Sequence, residues 1–293
     1  MMIASIGPCL PHDLFAATGR YNGPLEWDVS RATPRADRWL ESKFAPWTRS
    51  ILERWAEGAY DHLEAVVFSR VDDSAQRLYY YLCELQRSGA MGGPAPILLD
   101  IAKVPRTSSA DHSIAALRKL ADRFAVSDAA LEAGIVATNM ERGAELVETS
   151  APACLIAGTP PPDRRLHLAV ETAGFAAFGA TLADLWRDPG PRVAEATGDP
   201  AAAIGRQLHQ RPDDQRGFTD SAARIAADAR RIDAKAAVLW YTEEDEARVW
   251  SVPAARATLA DAEIPTLVLT RRGWTAKDGA PEEIGGFLAG ISA

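Results

Sequence analysis

The chain is poor in cysteine, in basic charge and in long apolar runs, and each shortage excludes a class of protein. The three cysteines, Cys9, Cys83 and Cys154, lie far apart and form no CxxC pair, so we expect neither a disulfide framework nor a zinc knuckle. A net charge of −8 argues against a nucleic-acid partner, because phosphate contacts need clustered lysine and arginine. No apolar run approaches the roughly 18 residues that cross a bilayer, and residues 1–8 do not resemble a signal peptide. We therefore expect a cytoplasmic protein with no membrane or nucleic-acid partner.

The common catalytic and nucleotide-binding motifs are also missing. The sequence contains no GxSxG, no Walker A and no GxGxxG pattern, and its five histidines are scattered without metal-ligand spacing. Hydrophobic residues nevertheless make up 47% of the chain and charged residues 25%, which is the composition of a globular protein with a well-buried core.

Short, almost wholly apolar runs indicate strands that are buried on both faces of parallel sheets. They are residues 64–70, 95–102, 153–159, 175–180, 236–242 and 265–271. Helical patterns lie between them: one that Ser74 caps, residues 114–124, residues 128–146 capped by Ser127, and residues 220–232.

This alternation predicts an α/β fold with two Rossmann-like, doubly wound units, a cleft between them and a helical excursion. The predicted boundary places residues 1–150, with the excursion, in an N-terminal unit and residues 151–293 in a C-terminal unit. Residues 188–214, rich in proline, glycine, glutamine and aspartate, indicate a long loop or lid.

Ligands of open parallel sheets bind beyond the carboxyl ends of the strands. The polar residues that follow the predicted strands are Asp72, Asp73, Ser74, Thr159, Glu244 and Asp245. The carboxylates among them suit a divalent cation such as magnesium, but carboxylates also cap the helices that follow strands, and we favour capping. Cys9 precedes a predicted helix, where a reactive thiol is one interpretation and a buried, inert one the favoured alternative.

Six segments together resemble the cluster-bearing subunits of the 2-hydroxyacyl-CoA dehydratase and benzoyl-CoA reductase family. They are residues 9–19 (CLPHDLFAATG), 44–52 (FAPWTRSIL), 66–68 with 72–79, 139–142 (NMER), 155–159 with 170–174, and 237–245 with 263–269. In that family three cysteines hold a four-iron, four-sulfur cluster that faces an acyl-CoA thioester. The resemblance implies that the equivalent positions here are Ala45, Asp72 and Glu244. Alanine cannot bind iron and carboxylates are hard oxygen donors, so we expect the fold without the cluster and no cofactor.

Three hypotheses follow from the resemblance. The first is a cluster-free subunit that binds acyl-CoA or a similar small molecule, or that supports a cluster-bearing paralogous subunit in a heterodimer. The second is an active subunit whose cluster is held in another way, either a 2-hydroxyacyl-CoA dehydratase (a lyase) or a benzoyl-CoA reductase-type subunit. The third is a repurposed scaffold with a divalent cation on its carboxylates. No catalytic residue is assigned, and the predicted ligand-binding residues are Cys9, Asp72, Asp73, Ser74, Thr159, Glu244 and Asp245.

Overall fold

The structure is a computed structural model that describes residues 1–142, 149–212 and 219–292. It divides into two compact units. Unit 1 comprises Met1–Glu145 and Trp186–Phe218, and unit 2 comprises Leu146–Leu185 and Thr219–Ala293. The sequence predicted a single boundary at residue 150. This division differs from that prediction, because Trp186–Phe218 belongs to unit 1.

Unit 1 is a four-stranded, all-parallel sheet in the order β2-β1-β3-β4. The strands are β1 (Met2–Ile6), β2 (Tyr21–Pro24), β3 (Leu63–Ser69) and β4 (Ala95–Leu99). Its first helices are α1 (His12–Thr18), α2 (Pro46–Ala56), α3 (Asp73–Arg87), α4 (Thr107–Arg123) and α5 (Asp128–Glu141), with a short 3₁₀ helix at Ala36–Arg38.

Two sequence predictions about the helices of unit 1 have definite outcomes. Ser127 caps α5 as predicted, since its side chain accepts a hydrogen bond from the Ala130 amide. Ser74 does not cap α3. Asp72 takes that position, and its carboxylate accepts a hydrogen bond from the Ala75 amide. An aspartate at the cap stabilises the helix through this bond and through the positive end of the helix dipole. Residues 143–146 of the predicted 128–146 helix lie outside the described residues.

Helix α6 (Arg165–Thr172) belongs to unit 2, and α7 (Leu182–Arg187) contains the point at which the chain returns to unit 1. The following segment, predicted to be a loop or lid, contains helix α8 (Pro200–Gln210). Asp199 caps α8 and Pro200 begins it, which the loop-like composition concealed. The helix packs on α4 at Gly205, where a Cβ atom would lie 2.8 Å from the Ile114 Cα. The lid prediction is therefore wrong for this helix, and residues 213–214 lie outside the described residues.

Unit 2 is a second four-stranded, all-parallel sheet, in the order β6-β5-β7-β8. Its strands are β5 (Ala153–Gly158), β6 (Ala176–Phe178), β7 (Ala234–Thr242) and β8 (Thr266–Arg272). The helices that complete it are α9 (Ser221–Arg231), α10 (Val252–Asp261) and α11 (Ala280–Ser292), with a 3₁₀ helix at Arg248–Ser251.

From Ala236 onward the central strand β7 is buried on both faces, as its apolar run predicts. Val238 and Trp240 pack with residues of α6 and α11, whereas Leu239 and Tyr241 pack with residues of α9 and α10. Helices thus cover both faces of the sheet, and the predicted α/β fold with two Rossmann-like units is confirmed. Among the described residues, no helix combines the length and the apolar character that crossing a bilayer requires.

Candidate functional site

The strand order places a topological switch point in each unit. In unit 1 the chain proceeds from β1 to β2 on one side of the sheet and from β3 to β4 on the other. In unit 2 the same divergence separates β5 from β7. Crevices beyond the carboxyl ends of such strand pairs are where doubly wound sheets bind ligands. All seven predicted ligand-binding residues follow β1, β3, β5 or β7: Asp73 and Ser74 begin α3, and the other five lie in the loops.

The predicted residues after β3 serve the following helix. Asp72 is 6% exposed, and its Oδ1 accepts the Ala75 amide at 2.8 Å. Asp73 is the exposed first residue of α3, and Ser74 is half-buried beside it. The loop after β1 lies against this turn, because a Cβ atom at Gly7 would stand 2.8 Å from the Ser69 Cβ. Capping, the favoured interpretation for Asp72, is confirmed.

Cys9 follows β1 with a positive φ of 56° and is buried. The Lys103 Nζ lies 3.8 Å from the Cys9 Sγ, but the same ammonium donates hydrogen bonds to the carbonyls of Leu208 and Arg211, at 2.5 and 3.0 Å. Two carbonyl oxygens therefore accept two of the hydrogen bonds that the Lys103 ammonium group can donate. The Cys9 thiol is a third and more distant neighbour of the same group.

Ala45 is buried at the N-terminal cap of α2, and its carbonyl accepts a hydrogen bond from the Thr48 hydroxyl. Its methyl side chain offers no donor or acceptor atom.

Unit 2 brings Thr159 and Asp245 together at its switch point. The Thr159 hydroxyl donates to the Asp245 Oδ2 at 2.6 Å and accepts the Thr242 amide at 3.2 Å. The Thr159 amide in turn donates to the Trp240 carbonyl at 2.8 Å. These bonds join the end of β5 to the end of β7 and fix the direction of the Thr159 hydroxyl.

Asp245 is held in its ionised form. Burial acts to raise the pKa of this carboxyl, but the nearby Arg248 guanidinium and the hydrogen bonds from Thr159 and Arg248 outweigh it and hold the pKa below its ordinary value. The Arg248 Nη1 lies 2.7 Å from the Asp245 Oδ2, and the Arg248 amide donates to the other carboxylate oxygen at 3.1 Å. Asp245 therefore holds two groups in place, the Thr159 hydroxyl and the start of the 3₁₀ helix.

Glu244, although adjacent in sequence, has a different partner. Its Oε2 accepts a hydrogen bond from the Trp274 indole N–H at 2.9 Å. Trp274 is buried just beyond β8, so the bond ties the loop after β7 to the loop after the neighbouring strand.

Sequence reasoning missed Thr242, the last residue of β7. It is 3% exposed, and its Oγ1 has no hydrogen-bond partner among the residues that the structure describes. The Nε of Arg248 is likewise buried without a partner in that part of the chain. Buried hydroxyls and guanidinium N–H groups are nearly always paired in native proteins. A threonine that ends an apolar strand gives no local signal of this kind, so the sequence could not have identified it.

The sequence also did not indicate that a buried ionic cluster forms in unit 1. Arg142 donates to both carboxylate oxygens of Asp13, at 2.7 and 2.8 Å, and to the Asn139 side chain. His12 lies nearby, and burial with the charge of Arg211 lowers its pKa from 6.5 to about 4. The imidazole is therefore neutral at pH 7. In the sequence these residues stand out only as parts of the CLPHDLFAATG and NMER segments, which carry the family resemblance and no indication that they meet.

The donor set does not fit a thiolate-held iron–sulfur cluster. At the three positions that the resemblance equates with cluster ligands, Ala45 has no ligating atom, Asp72 caps a helix and Glu244 accepts an indole N–H. Within the described ranges, no three histidine, cysteine, aspartate or glutamate side chains are grouped so that they could hold a metal ion. The divalent-cation hypothesis thus gains no support from this part of the chain.

No known family model matches the chain, and no curated protein matches it significantly in sequence.

Proposed function

We propose that this chain is a cluster-free, ligand-binding subunit with the fold of the 2-hydroxyacyl-CoA dehydratases, and that the switch point of unit 2 binds the acyl end of an acyl-CoA or a similar thioester. The resemblance of residues 155–159 and 237–245 supports this proposal, since those segments supply most of β5 and β7 and the residues that follow each strand. The parallel sheet order supports it as well, because this topology binds ligands at that position.

The observation that carries the proposal is the unpartnered Thr242 hydroxyl. A buried hydroxyl without a partner costs about 1–3 kcal/mol, and a ligand oxygen that accepts its proton would remove that cost. A thioester carbonyl is such an acceptor, and it has no proton to donate. The buried Arg248 Nε offers a second donor beside the same loop.

The surrounding residues would orient the ligand and take no chemical step. Asp245 fixes Arg248 through the ion pair, and it fixes Thr159 through the short hydrogen bond. Because both groups are held before a ligand arrives, little side-chain entropy is lost on binding. Any radical dehydration would belong to a cluster-bearing paralogous partner, to which this chain would contribute ligand binding.

A calorimetric titration with butyryl-CoA tests the proposal. Wild-type protein should bind it, and Thr242→Val, which removes the hydroxyl at nearly constant volume, should weaken binding by about fivefold to tenfold. Thr242→Ser keeps the hydroxyl and should retain most of the affinity. Thr172→Val changes an exposed threonine at the end of α6 and is the matched control, with wild-type affinity expected. Absence of binding by the wild type, or equal affinity of Thr242→Val, would contradict the proposal.

A further inference from the structure

Strand β4 forms an open edge of the unit 1 sheet. It pairs with β3 on one side, and no strand from the described residues pairs with it on the other. The Arg70 amide donates to the Leu99 carbonyl, so Leu99 directs its backbone groups toward β3. Since backbone direction alternates along a strand, Ile97 and Ala95 do the same, and the groups of Pro96, Leu98 and Asp100 face away from the sheet.

These outward-facing backbone groups can form hydrogen bonds with an additional strand. The Leu98 residue presents both an N–H and a C=O, Pro96 presents a C=O and Asp100 an N–H. Proline has no N–H, and at this position the missing donor faces the open side, where it breaks no bond of the sheet. Native edges of this kind accept an additional strand when nothing covers them.

A groove runs along this edge between α3 and α4, with a volume of about 630 Å³. We call it the β4 groove. Its wall on α4 is formed by His112, Ala115, Ala116, Lys119, Leu120 and Arg123, whose spacings of three and four place them on one face of the helix. The residues that define the groove are Tyr79, Leu98, His112, Ala116, Lys119 and Arg123. The small Ala115 and Ala116 leave room at mid-groove, where an extended chain would lie.

The charge of the β4 groove indicates the occupant. Lys119 and Arg123 make no ion pair with any residue of the described ranges. The acidic group that lines the groove, Asp100, is already paired, because the Arg70 guanidinium donates to both of its oxygens. Two unpaired cations on the rim of an otherwise acidic chain complement an acidic partner.

We propose that the β4 groove binds an extended, acidic segment of a partner protein, which adds to the sheet as a fifth strand beside β4. Backbone hydrogen bonds to Leu98 and its outward neighbours would supply affinity. Carboxylates of the segment beside Lys119 and Arg123 would supply selectivity. The proposal is independent of the ligand site in unit 2, since every residue it uses belongs to unit 1.

Fluorescence anisotropy with a labelled, end-blocked heptapeptide of alternating glutamate and valine tests this inference on the full chain. The acidic peptide should bind, and a lysine–valine peptide of equal length should not. The acidic peptide with methylated backbone nitrogens keeps its charges but cannot donate to the edge, so it should fail to bind. Binding by the lysine–valine or the methylated peptide at equal affinity would overturn the proposal.

Variants of the chain separate charge from groove shape. The loss of one exposed ion pair weakens binding by up to about fivefold. The double variant Lys119→Glu/Arg123→Glu removes two such pairs and adds repulsion, so it should weaken binding about tenfold or more. Arg256→Glu/Lys277→Glu changes the net charge equally at exposed positions of unit 2 and should bind as the wild type does. Ala115→Trp fills the groove without changing charge and should abolish binding while the circular dichroism spectrum is unchanged.

A second copy of the chain is the alternative occupant. Sedimentation would then show a dimer that Ala115→Trp dissociates, and this result would overturn the proposal of an acidic partner. A monomeric wild type that binds the acidic peptide supports it. Unchanged peptide binding by Lys119→Glu/Arg123→Glu would also overturn it.

Discussion

Asp13 and Arg142 form a two-point ion pair in which each side chain is only 2% exposed, although 128 other residues separate them along the chain. The guanidinium also donates to the Asn139 side chain and to the carbonyls of Pro189 and Gly190. It therefore holds the start of α1, the end of α5 and the segment that follows α7 in one place. A buried charge pair of this kind stabilises a fold only while both partners are present.

Arg142→Met should lower the free energy of unfolding by about 3–5 kcal/mol, because it leaves the Asp13 carboxylate buried without its partner. The double variant Asp13→Asn/Arg142→Met also removes the unpaired carboxylate of Asp13, so it should be more stable than Arg142→Met alone. Urea unfolding of the wild type, both single variants and the double variant gives the coupling energy. Additive losses would contradict the assigned interaction.

His12 predicts how stability depends on pH. Its folded-state pKa, about 4, lies below the 6.5 of an exposed histidine, mainly because of burial and secondarily because of the Arg211 charge. The unfolded chain therefore takes up a proton at higher pH than the folded chain does. The stabilisation is complete above pH 6.5 and is lost as the pH falls toward 4, by up to about 3 kcal/mol.

The His12 prediction is checked by urea midpoints measured from pH 7 to pH 4. His12→Gln cannot take up a proton, so its midpoint should fall less steeply than that of the wild type. Asp188 opposes the shift and Arg142 adds to it, so both charges are left unchanged in the comparison. Parallel curves for the two proteins would show that His12 is not the titrating group.

Two helical glycines should respond to alanine in opposite directions. A Cβ atom at Gly134 in α5 would lie 2.2 Å from the Asp13 carbonyl oxygen, so Gly134→Ala should separate α5 from α1 and cost about 1–3 kcal/mol. Gly286 in α11 has nothing within 4 Å of that position, and Gly286→Ala should stabilise by about 0.5–1 kcal/mol through helix propensity. Thermal unfolding of both variants measures the two effects, and a stabilised Gly134→Ala would contradict the close approach.

The cysteines should differ in reactivity toward a disulfide reagent at pH 8. Cys9 and Cys154 are buried, and burial raises the pKa of the Cys154 thiol to about 12. Cys83, in helix α3, is only half-buried. One thiol should therefore react quickly in native protein, and Cys83→Ser should remove that phase. A fast phase that survives this substitution would indicate that Cys9 is accessible.

The buried parallel strands could be predicted because their signal is local. The run at 64–70 became β3 with both ends shifted by one residue, and the run at 153–159 became β5, which ends one residue earlier. Consecutive apolar residues are sufficient to mark a strand covered on both faces. β2 gave no such signal. Its sequence, YNGP, is typical of a turn, and it becomes a strand by pairing with β1, where the Tyr21 hydroxyl lies 2.6 Å from the Ser5 hydroxyl oxygen.

The candidate site was predictable only to the level of which loops contain it. Thr159 and Asp245 followed from the rule that ligands bind beyond strand ends, and the structure joins them by a hydrogen bond. That Thr242 lacks a partner, or that Arg142 reaches Asp13, depends on contacts between residues distant in sequence. A single sequence contains no pairing information of that kind.

We propose that this chain combines a dehydratase-like fold with the absence of the cluster. Iron and acid-labile sulfide analysis of anaerobically purified protein, together with a visible absorption spectrum, tests it most directly. We expect a colourless protein with iron and sulfide far below one equivalent per chain. A brown protein with stoichiometric iron and sulfide would contradict it and would favour an active, cluster-bearing subunit.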